Sequence, residues 1–261
     1  MKIYDYYRDT AKARLNGSIA ALVPAIIIVS GNLSFFQNNE IMLGTIPFLV
    51  YSLLSFQIYL FRHNQAILIG KNMSLSHRRV QTLFDAKHLL VVYLNVLSPK
   101  VMLFFTDGHL AGEIKKSKNR VRFLKLERCF TLTNSQKKVI ATFKIEGRKK
   151  VKIQVFSEEN KYLGCLERQK KLILQKDRKE LLDSTGRYVG TIQGSSFYMD
   201  EQIYNKEDKR VGRLRRGWMP LEWESLFPEP NTPVLSFSEG LNEEDKLVGL
   251  SLLINEYFIE R

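Results

Sequence analysis

The stretch from Asn242 to Ile259 restricts the fold most, because it reads as a helix with no face left for water. Asn242 is a favoured N-cap residue, and Glu243, Glu244 and Asp245 complement the positive end of the helix dipole. From Leu247 to Ile259 the apolar residues fall on every side rather than along one stripe. A helix of that kind must be wrapped, by protein or by lipid. Its roughly 13 apolar-rich residues are well short of the ~20 needed to cross a bilayer, which favours protein. A long series of short strands precedes it. The pattern therefore predicts an antiparallel sheet curled around a central helix at 243–259.

Those strands carry a recurring unit. Residues 105–114 (FTDGHLAGEI) are echoed by 156–166 (FSEENKYLGCL), 182–192 (LDSTGRYVGTI) and 204–214 (YNKEDKRVGRL). Each unit is an apolar strand end, a polar turn with Asp, Asn or Gly, then apolar-Gly-x-apolar. That describes a hairpin in which Asn160, Gly186 and Asp208 suit turn positions of positive φ. Gly112, Gly164, Gly190 and Gly212 fall inside the return strands, where glycine marks a bulge or a close approach such as that of a central helix. Further strands are expected at 89–96, 101–105, 121–126, 139–145, 151–155, 172–174 and 196–199. The stretch 217–241 is Pro-rich and reads as irregular, with Trp218 and Trp223 packing in the core or at the barrel mouth; lipid contact is the alternative.

The N-terminal part obeys different rules. Neither 17–36 (GSIAALVPAIIIVSGNLSFF) nor 41–61 (IMLGTIPFLVYSLLSFQIYLF) contains a charge, and at ~1.5 Å per residue each spans a ~30 Å hydrocarbon core. Pro24 and Pro47 are tolerable in membrane helices. The connection 37–40 (QNNE) permits only a tight hairpin. A cleaved signal peptide fits less well, since Asp5 and Asp9 precede the apolar run and no small-x-small site follows it. Arg14 lies before the first span, and Arg62, Lys71, Arg78 and Arg79 follow the second, whereas the turn has no basic residue. By that asymmetry both termini are expected in the cytoplasm of a two-span protein of the cell membrane. The expected division is a cytoplasmic segment 1–16, a hairpin 17–61, a basic juxtamembrane linker 62–80 and a barrel 81–261. Ile3, Tyr7, Ala11 and Leu15 recur at i, i+4, the pattern of a short amphipathic helix on a membrane surface.

The strand–turn–apolar-Gly-x-apolar repeats, ending in one hydrophobic helix, resemble the tubby C-terminal-like superfamily, which includes phospholipid scramblases and LURP-one-related proteins. The resemblance covers residues 80–261 and lies in the style and order of the repeats. It implies a twelve-stranded antiparallel barrel around the final helix. It also implies binding of phosphoinositide headgroups through Lys and Arg on the barrel, although no individual binding position carries over. The membrane hairpin lies outside the resemblance.

Charge supplies the remaining clue. Residues 62–219 hold 34 of the 40 basic residues against 15 acidic ones. Such a body attracts anionic lipid headgroups or nucleic acid. No nucleic-acid motif accompanies the charge, and the hairpin tilts the choice to lipid. Candidate headgroup ligands are Lys115, Lys116, Arg148, Lys149, Lys150, Lys209, Arg210, Arg213, Arg215 and Arg216. A solvated barrel exterior is the alternative for all of them. Cys129 and Cys165 have neither disulfide nor zinc spacing and read as buried thiols in a reducing compartment. His63, His77, His88 and His109 share no metal-ligand spacing, and His109 reads as a turn residue. With no catalytic motif, the chain reads as non-enzymatic, with no cofactor and no metal. The expected partners are the bilayer and its anionic phospholipids. A membrane-stress or toxin-immunity role through a membrane-protein partner of the hairpin, or a homo-oligomer, stands as the alternative, with lipid scrambling behind it.

Overall fold

A computed structural model of the chain describes residues 1–75, 82–95, 98–117, 128–147, 150–169, 178–194 and 199–260. They form two compact units, residues 1–77 and 78–261.

In the first unit, α1 (Ile3–Gly31) closes in a π turn at Asn32–Phe36, and the chain reverses at Gln37, whose φ is +46°. Asn32 Oδ1 accepts from the Asn38 amide at 2.9 Å, and Asn38 Oδ1 accepts from the Glu40 amide at 2.8 Å, so side chains fold the reversal. A short α2 (Asn39–Leu43) leads into α3 (Ile46–Leu75). Both long helices are long and apolar enough to cross a membrane. Within the two apolar segments their shared interface is small and polar. Ser18, Ala25 and Asn32 on α1 and Ser52, Ser55 and Ala66 on α3 are buried, while Ile26, Ile27, Leu53, Leu54 and Phe61 are exposed. Ser18 Oγ donates to the Ser52 carbonyl at 2.9 Å, and the two hydroxyls lie 3.0 Å apart. Small residues let helix backbones approach closely, as in membrane helix pairs.

Two expectations change here. Residues 62–75, read as linker, continue α3 without a break. Residues 3–16 likewise belong to α1, and their apolar face is not turned to a membrane surface. Ile3, Tyr7 and Ala11 are buried in the helix pair, together with Ala66, Ile69 and Met73 of α3. The charged residues of the ends thus ride on a continuous two-helix stem rather than on flexible chain.

The second unit is a closed antiparallel barrel of twelve strands in sequence order, with β12 returning to β1. These are β1 (His88–Leu94), β2 (Lys100–Phe104), β3 (Leu110–Lys116), β4 (Arg128–Asn134), β5 (Val139–Glu146) and β6 (Lys150–Ser157). They continue with β7 (Tyr162–Gln169), β8 (Arg178–Asp183), β9 (Tyr188–Gly194), β10 (Asp200–Asn205), β11 (Arg210–Arg215) and β12 (Val234–Phe237). The barrel wraps α4 (Glu243–Ile254) and a π turn at Asn255–Ile259, which together span the expected 243–259. Asn242 caps the helix, its Oδ1 accepting from the Asp245 amide at 2.7 Å. Leu247 through Tyr257 are buried, so α4 has no solvent face.

Five hairpins explain the repeat. At Phe105–His109, Asn134–Lys138, Ser157–Lys161, Asp183–Arg187 and Asn205–Lys209 the first residue's amide bonds the fifth residue's carbonyl, and its own carbonyl accepts from the fourth residue's amide. The fourth residue has positive φ each time: Gly108, Lys137, Asn160, Gly186 and Asp208. Each return strand then carries one extra residue, and the register shifts at Ala111, Ile140, Leu163, Val189 and Val211. The apolar-Gly pair is therefore a bulge followed by the glycine, and Ala141 takes the glycine's place in the fifth copy. Only one of the four glycines approaches the helix. A Cβ on Gly164 would lie 3.3 Å from Val248, whereas those on Gly112, Gly190 and Gly212 would meet neighbouring strands or, at Gly112, also Leu83.

The expected strand at 121–126 lies outside the described residues, as do 172–174 and most of 196–199. β4 and β12 were not anticipated. β12 lies within the Pro-rich stretch and closes the barrel. Before it, Leu226 and Phe227 are buried, and the Phe227 ring meets that of Phe104 at 6.3 Å.

Candidate functional site

Because all five hairpin turns lie at one end, the other six connections, β1–β2, β3–β4, β5–β6, β7–β8, β9–β10 and β11–β12, leave from the other, here called the loop end. Of the basic runs near 115, 148, 168 and 213, the described members Lys115, Lys116, Lys150, Arg168, Arg213 and Arg215 lie on strands toward this loop end. Arg148 and Lys149 lie outside the described residues, as do Arg78 and Arg79. The run from Lys209 to Arg216, read as one cluster, is split by β11: Lys209 and Arg210 sit at the hairpin end, and Arg215 and Arg216 at the loop end. Lys209 pairs with Glu207 at 3.1 Å, which removes it further from a common site.

On the outer wall at the loop end, three carboxylates each lie between two cations. Glu113 is 3.6 Å from Lys100 and 3.9 Å from Lys115. Glu167 is 2.7 Å from Lys150 and 3.6 Å from Lys152. Asp200 takes a bidentate fork from Arg213, at 2.7 and 2.6 Å, and lies 3.9 Å from Arg215. Cross-strand neighbours on one face create these triads: Lys100 stands opposite Lys115, Lys152 opposite Glu167, and Asp200 opposite Arg215. The anion and one cation cancel, so each triad keeps one positive charge. The cations also reach further out. The Lys115 and Lys150 side chains are 46% and 57% exposed, against 19% for Glu113 and 15% for Glu167. Hydrogen bonding from Lys150 holds the Glu167 carboxyl below its ordinary range, and the Arg213 fork does the same for Asp200. Lys116, Arg128 and Arg216 are exposed beside the triads. What this rim can do is hold phosphate or carboxylate groups by charge.

Inside the same end sits a buried ionic cluster that the sequence reading passed over. Lys179 Nζ lies 3.1 Å from Glu201, 3.0 Å from Glu256 and 3.2 Å from Glu260. Arg168 reaches Glu260 at 3.1 Å and Asn255 Oδ1 at 3.3 Å. Asn255 Nδ2 donates to Glu256 Oε1 and Glu260 Oε1 at 3.0 and 2.8 Å. Burial pushes Glu201 upward and Glu256 to about 7. Burial acts on Glu260 as well, but Lys179, Asn255 and Arg168 outweigh it and hold that carboxyl below its ordinary value. Lys179 is raised, its three carboxylates outweighing burial. Three carboxylates near a helix C-terminus oppose the dipole there, and the two cations compensate. The cluster fixes where α4 ends. Arg168, part of a basic run in the sequence, points into it. Two signals were readable: Asn255 and Glu256 interrupt an apolar helix, and Lys179 shares a strand face with Leu181.

The remaining candidates fall simply. Cys129 and Cys165 are both buried, and burial pushes the Cys165 thiol up. His109 lies in its turn, 3.2 Å from Asp107. Among the described residues no group of His, Cys, Asp or Glu could hold a metal ion. Arg14 and Lys71 are exposed on the helical stem. Arg62 lies 5.5 Å from the Tyr7 ring centroid, bridging the two helices. Trp223 is half-buried, 5.6 Å from the His88 ring, but Trp218 is 69% exposed and packs in no core. Comparison with family models, with curated proteins and with solved structures found no match.

Proposed function

We propose that this chain is a two-span protein of the cell membrane, with both termini cytoplasmic, whose barrel binds anionic phospholipid headgroups without catalysing a reaction. The observation that carries the reading is the set of three cation–carboxylate–cation triads at one end of the barrel. Their surplus positive charge stands on the exposed side of the wall, where a diester or monoester phosphate can reach it. The hairpin supports a membrane address, since its apolar segments bury small and polar residues and expose large apolar ones. Arg14, Arg62 and Lys71 on the stem favour the cytoplasmic side for both ends. The barrel also has the strand number that a tubby-like relationship implies, and we take that relationship as part of the proposal.

A role through a membrane-protein partner of the hairpin is the second reading, favoured by the polar groups buried within the helix pair. Scrambling is the weakest, because α4 is enclosed by the barrel and, among the described residues, only two helices remain to shape a lipid path.

The test uses the full chain held in neutral phosphatidylcholine nanodiscs and floated with vesicles. Phosphatidylserine-containing vesicles should carry it up at low salt and release it at high salt, while phosphatidylcholine vesicles should not. Charge reversal at Lys115, Lys116 and Arg216 should weaken flotation by ~100-fold or more, at about 1 kcal/mol per basic residue near the surface. Equal flotation with both vesicle types, or with neither, sinks the reading and directs the search to partners of the hairpin.

A further inference from the structure

The loop end carries one more feature that a purely electrostatic surface does not need. Among the described residues of the barrel unit, the most exposed large apolar side chains are Trp218, at 69%, and Leu221, at 84%. They lie three residues apart on the β11–β12 connection. The next most exposed, Tyr188 and Val139, reach only 45% and 39% and stand apart. Two neighbouring apolar side chains presented this fully to water are an exception on a barrel whose other large apolar groups are mostly covered.

The connection is held by several bonds. The Arg216 amide donates to the Met199 carbonyl at 2.9 Å, and Gly217 turns the chain with a φ of +82°. Pro220 precedes a single 3-10 turn, Leu221–Trp223, in which the Trp223 amide bonds the Pro220 carbonyl at 3.1 Å. Trp223 then rests on His88, and Phe227 is buried on Phe104. With both flanks anchored, Trp218 and Leu221 form a fixed tip. The Arg215 guanidinium lies 3.7 Å from the centroid of the Trp218 ring. The same arginine is a member of the Asp200 triad. The apolar tip and the basic rim are therefore one continuous surface.

We propose that Trp218 and Leu221 are the insertion tip of the barrel, entering the boundary between headgroups and acyl chains of an anionic bilayer while Arg215 and Arg216 stay at the phosphates. This inference rests on the headgroup-binding reading and adds the side chains that leave water. Tryptophan prefers that boundary, where its ring is apolar and its N–H still meets a polar partner. An arginine stacked on the ring keeps its charge at phosphate level while covering one face of the indole. Glu222 and Glu224 are exposed on the same connection, and they limit the depth to the ring and the leucine side chain. A protein groove is the competing occupant. The basic rim favours the anionic bilayer, because it supplies charge complementarity on every side where triads stand.

The test again uses the full chain in neutral nanodiscs, now with Trp223→Phe so that Trp218 is the only tryptophan of the two in the sequence. Vesicles of phosphatidylcholine, with or without phosphatidylserine, carry lipids brominated near the top of the acyl chain. With anionic vesicles, Trp218 emission should shift to the blue, be quenched by the bromines and become protected from acrylamide. Trp218→Ala with Leu221→Ala should weaken vesicle flotation about tenfold and leave the thermal transition unchanged. Wild-type flotation with anionic vesicles, combined with an unquenched and acrylamide-accessible Trp218, overturns the tip and leaves the headgroup reading standing. No flotation of the wild type removes both.

Discussion

The hairpin and the barrel bury opposite things. In the helix pair Ser18, Asn32, Ser52 and Ser55 are inside, and Ile27, Leu53 and Phe61 are outside. In the barrel Leu132, Phe143, Ile153, Leu214 and Leu252 are inside, and the outer wall carries ion pairs. On the proposed membrane reading one rule gives both results, since each unit turns outward what its solvent accepts. Water rewards burial of apolar area, and hydrocarbon does not, so helices in lipid associate through close backbone packing and hydrogen bonds. The exception within the barrel is then informative. Lys179, Arg168, Glu201, Glu256 and Asn255 are as deeply buried as the apolar core, and they hold the end of the helix.

The strongest way to break the comparison is to leave that exception unbalanced. Lys179→Met removes the cation shared by three carboxylates and should cost the barrel about 3–5 kcal/mol, the usual penalty for an orphaned buried charge. Thermal or urea unfolding followed by barrel fluorescence measures it. A loss below about 1 kcal/mol would mean that the cluster is solvated and does not anchor α4.

The next effect compares the two outer surfaces directly. Ile27, 65% exposed at the middle of the first apolar segment, and Tyr188, 45% exposed on β9, look equivalent by exposure alone. Lysine at position 27 should cost roughly 2.5–3.5 kcal/mol in a membrane-insertion assay. Lysine at position 188 should change barrel stability by no more than about 0.5 kcal/mol. Equal and small effects at both sites would mean that the hairpin faces water.

What the sequence disclosed follows the same division. The charge-free runs 17–36 and 41–61 stand out because some twenty residues without a charge are what a helix suited to hydrocarbon requires. The hairpin repeats stand out because backbone geometry puts a positive-φ residue at the fourth turn position and, in four of the five copies, a glycine just after the bulge. That is why Asn160, Gly186 and Asp208 were legible one by one. β12 was hidden by its four-residue length among prolines, and β4 by its opening Arg128. Residues 62–75 looked like linker because their charges are spread around the helix, although Ala66, Ile69 and Met73 mark its packed side. The ionic cluster was illegible for a different reason. Arg178, Lys179 and Glu180 read as one solvated run, and only the barrel's inside-outside alternation separates Lys179 from its neighbours. The triads needed the cross-strand register, which no single strand carries. Trp218 was misread because a tryptophan is usually covered, and composition says nothing of which of two tryptophans a β-wall leaves outside.

A smaller effect concerns pH. Glu256 has its folded value raised to about 7, mainly by burial, while an unfolded glutamate titrates near 4.5. The folded state therefore binds this proton more tightly, and the associated stability is fully present below about 4.5. It is lost as pH rises through about 7, and at ~1.4 kcal/mol per unit the loss is at most about 3.5 kcal/mol. Glu201, raised by burial, works in the same direction. Glu167 and Asp200 are lowered by their cations, so their contribution is present above the unfolded carboxylate value and fades only in acid. Glu256→Gln should flatten the slope between about pH 5 and 7 and raise the melting temperature at pH 8. An unchanged slope in that variant would assign the titration elsewhere.

The smallest effect tests the hairpin's interior on its own terms. Ser18 donates to the Ser52 carbonyl and meets its hydroxyl, which makes this the clearest polar contact between α1 and α3. In water a buried hydroxyl pair of this kind is commonly worth about 1 kcal/mol. In a bilayer the separated helices still satisfy much of that need, because a serine hydroxyl can return to its own helix four residues back. Measured couplings between membrane helices accordingly average about 0.6 kcal/mol. A double-mutant cycle on Ser18→Ala and Ser52→Ala, read by the strength of helix association in bilayers, should return a coupling near that value. Each alanine also preserves the small interface, so backbone approach is held constant while the hydrogen bond is removed. A coupling of zero would leave cohesion to close packing of Ala25, Ala66 and the serine backbones, with Ile3, Tyr7, Ile69 and Met73 at the far end of the pair. A coupling well above 1 kcal/mol would show that the helices have no other partner for these hydroxyls, and would give the hairpin a polar anchor comparable to the one that fixes α4.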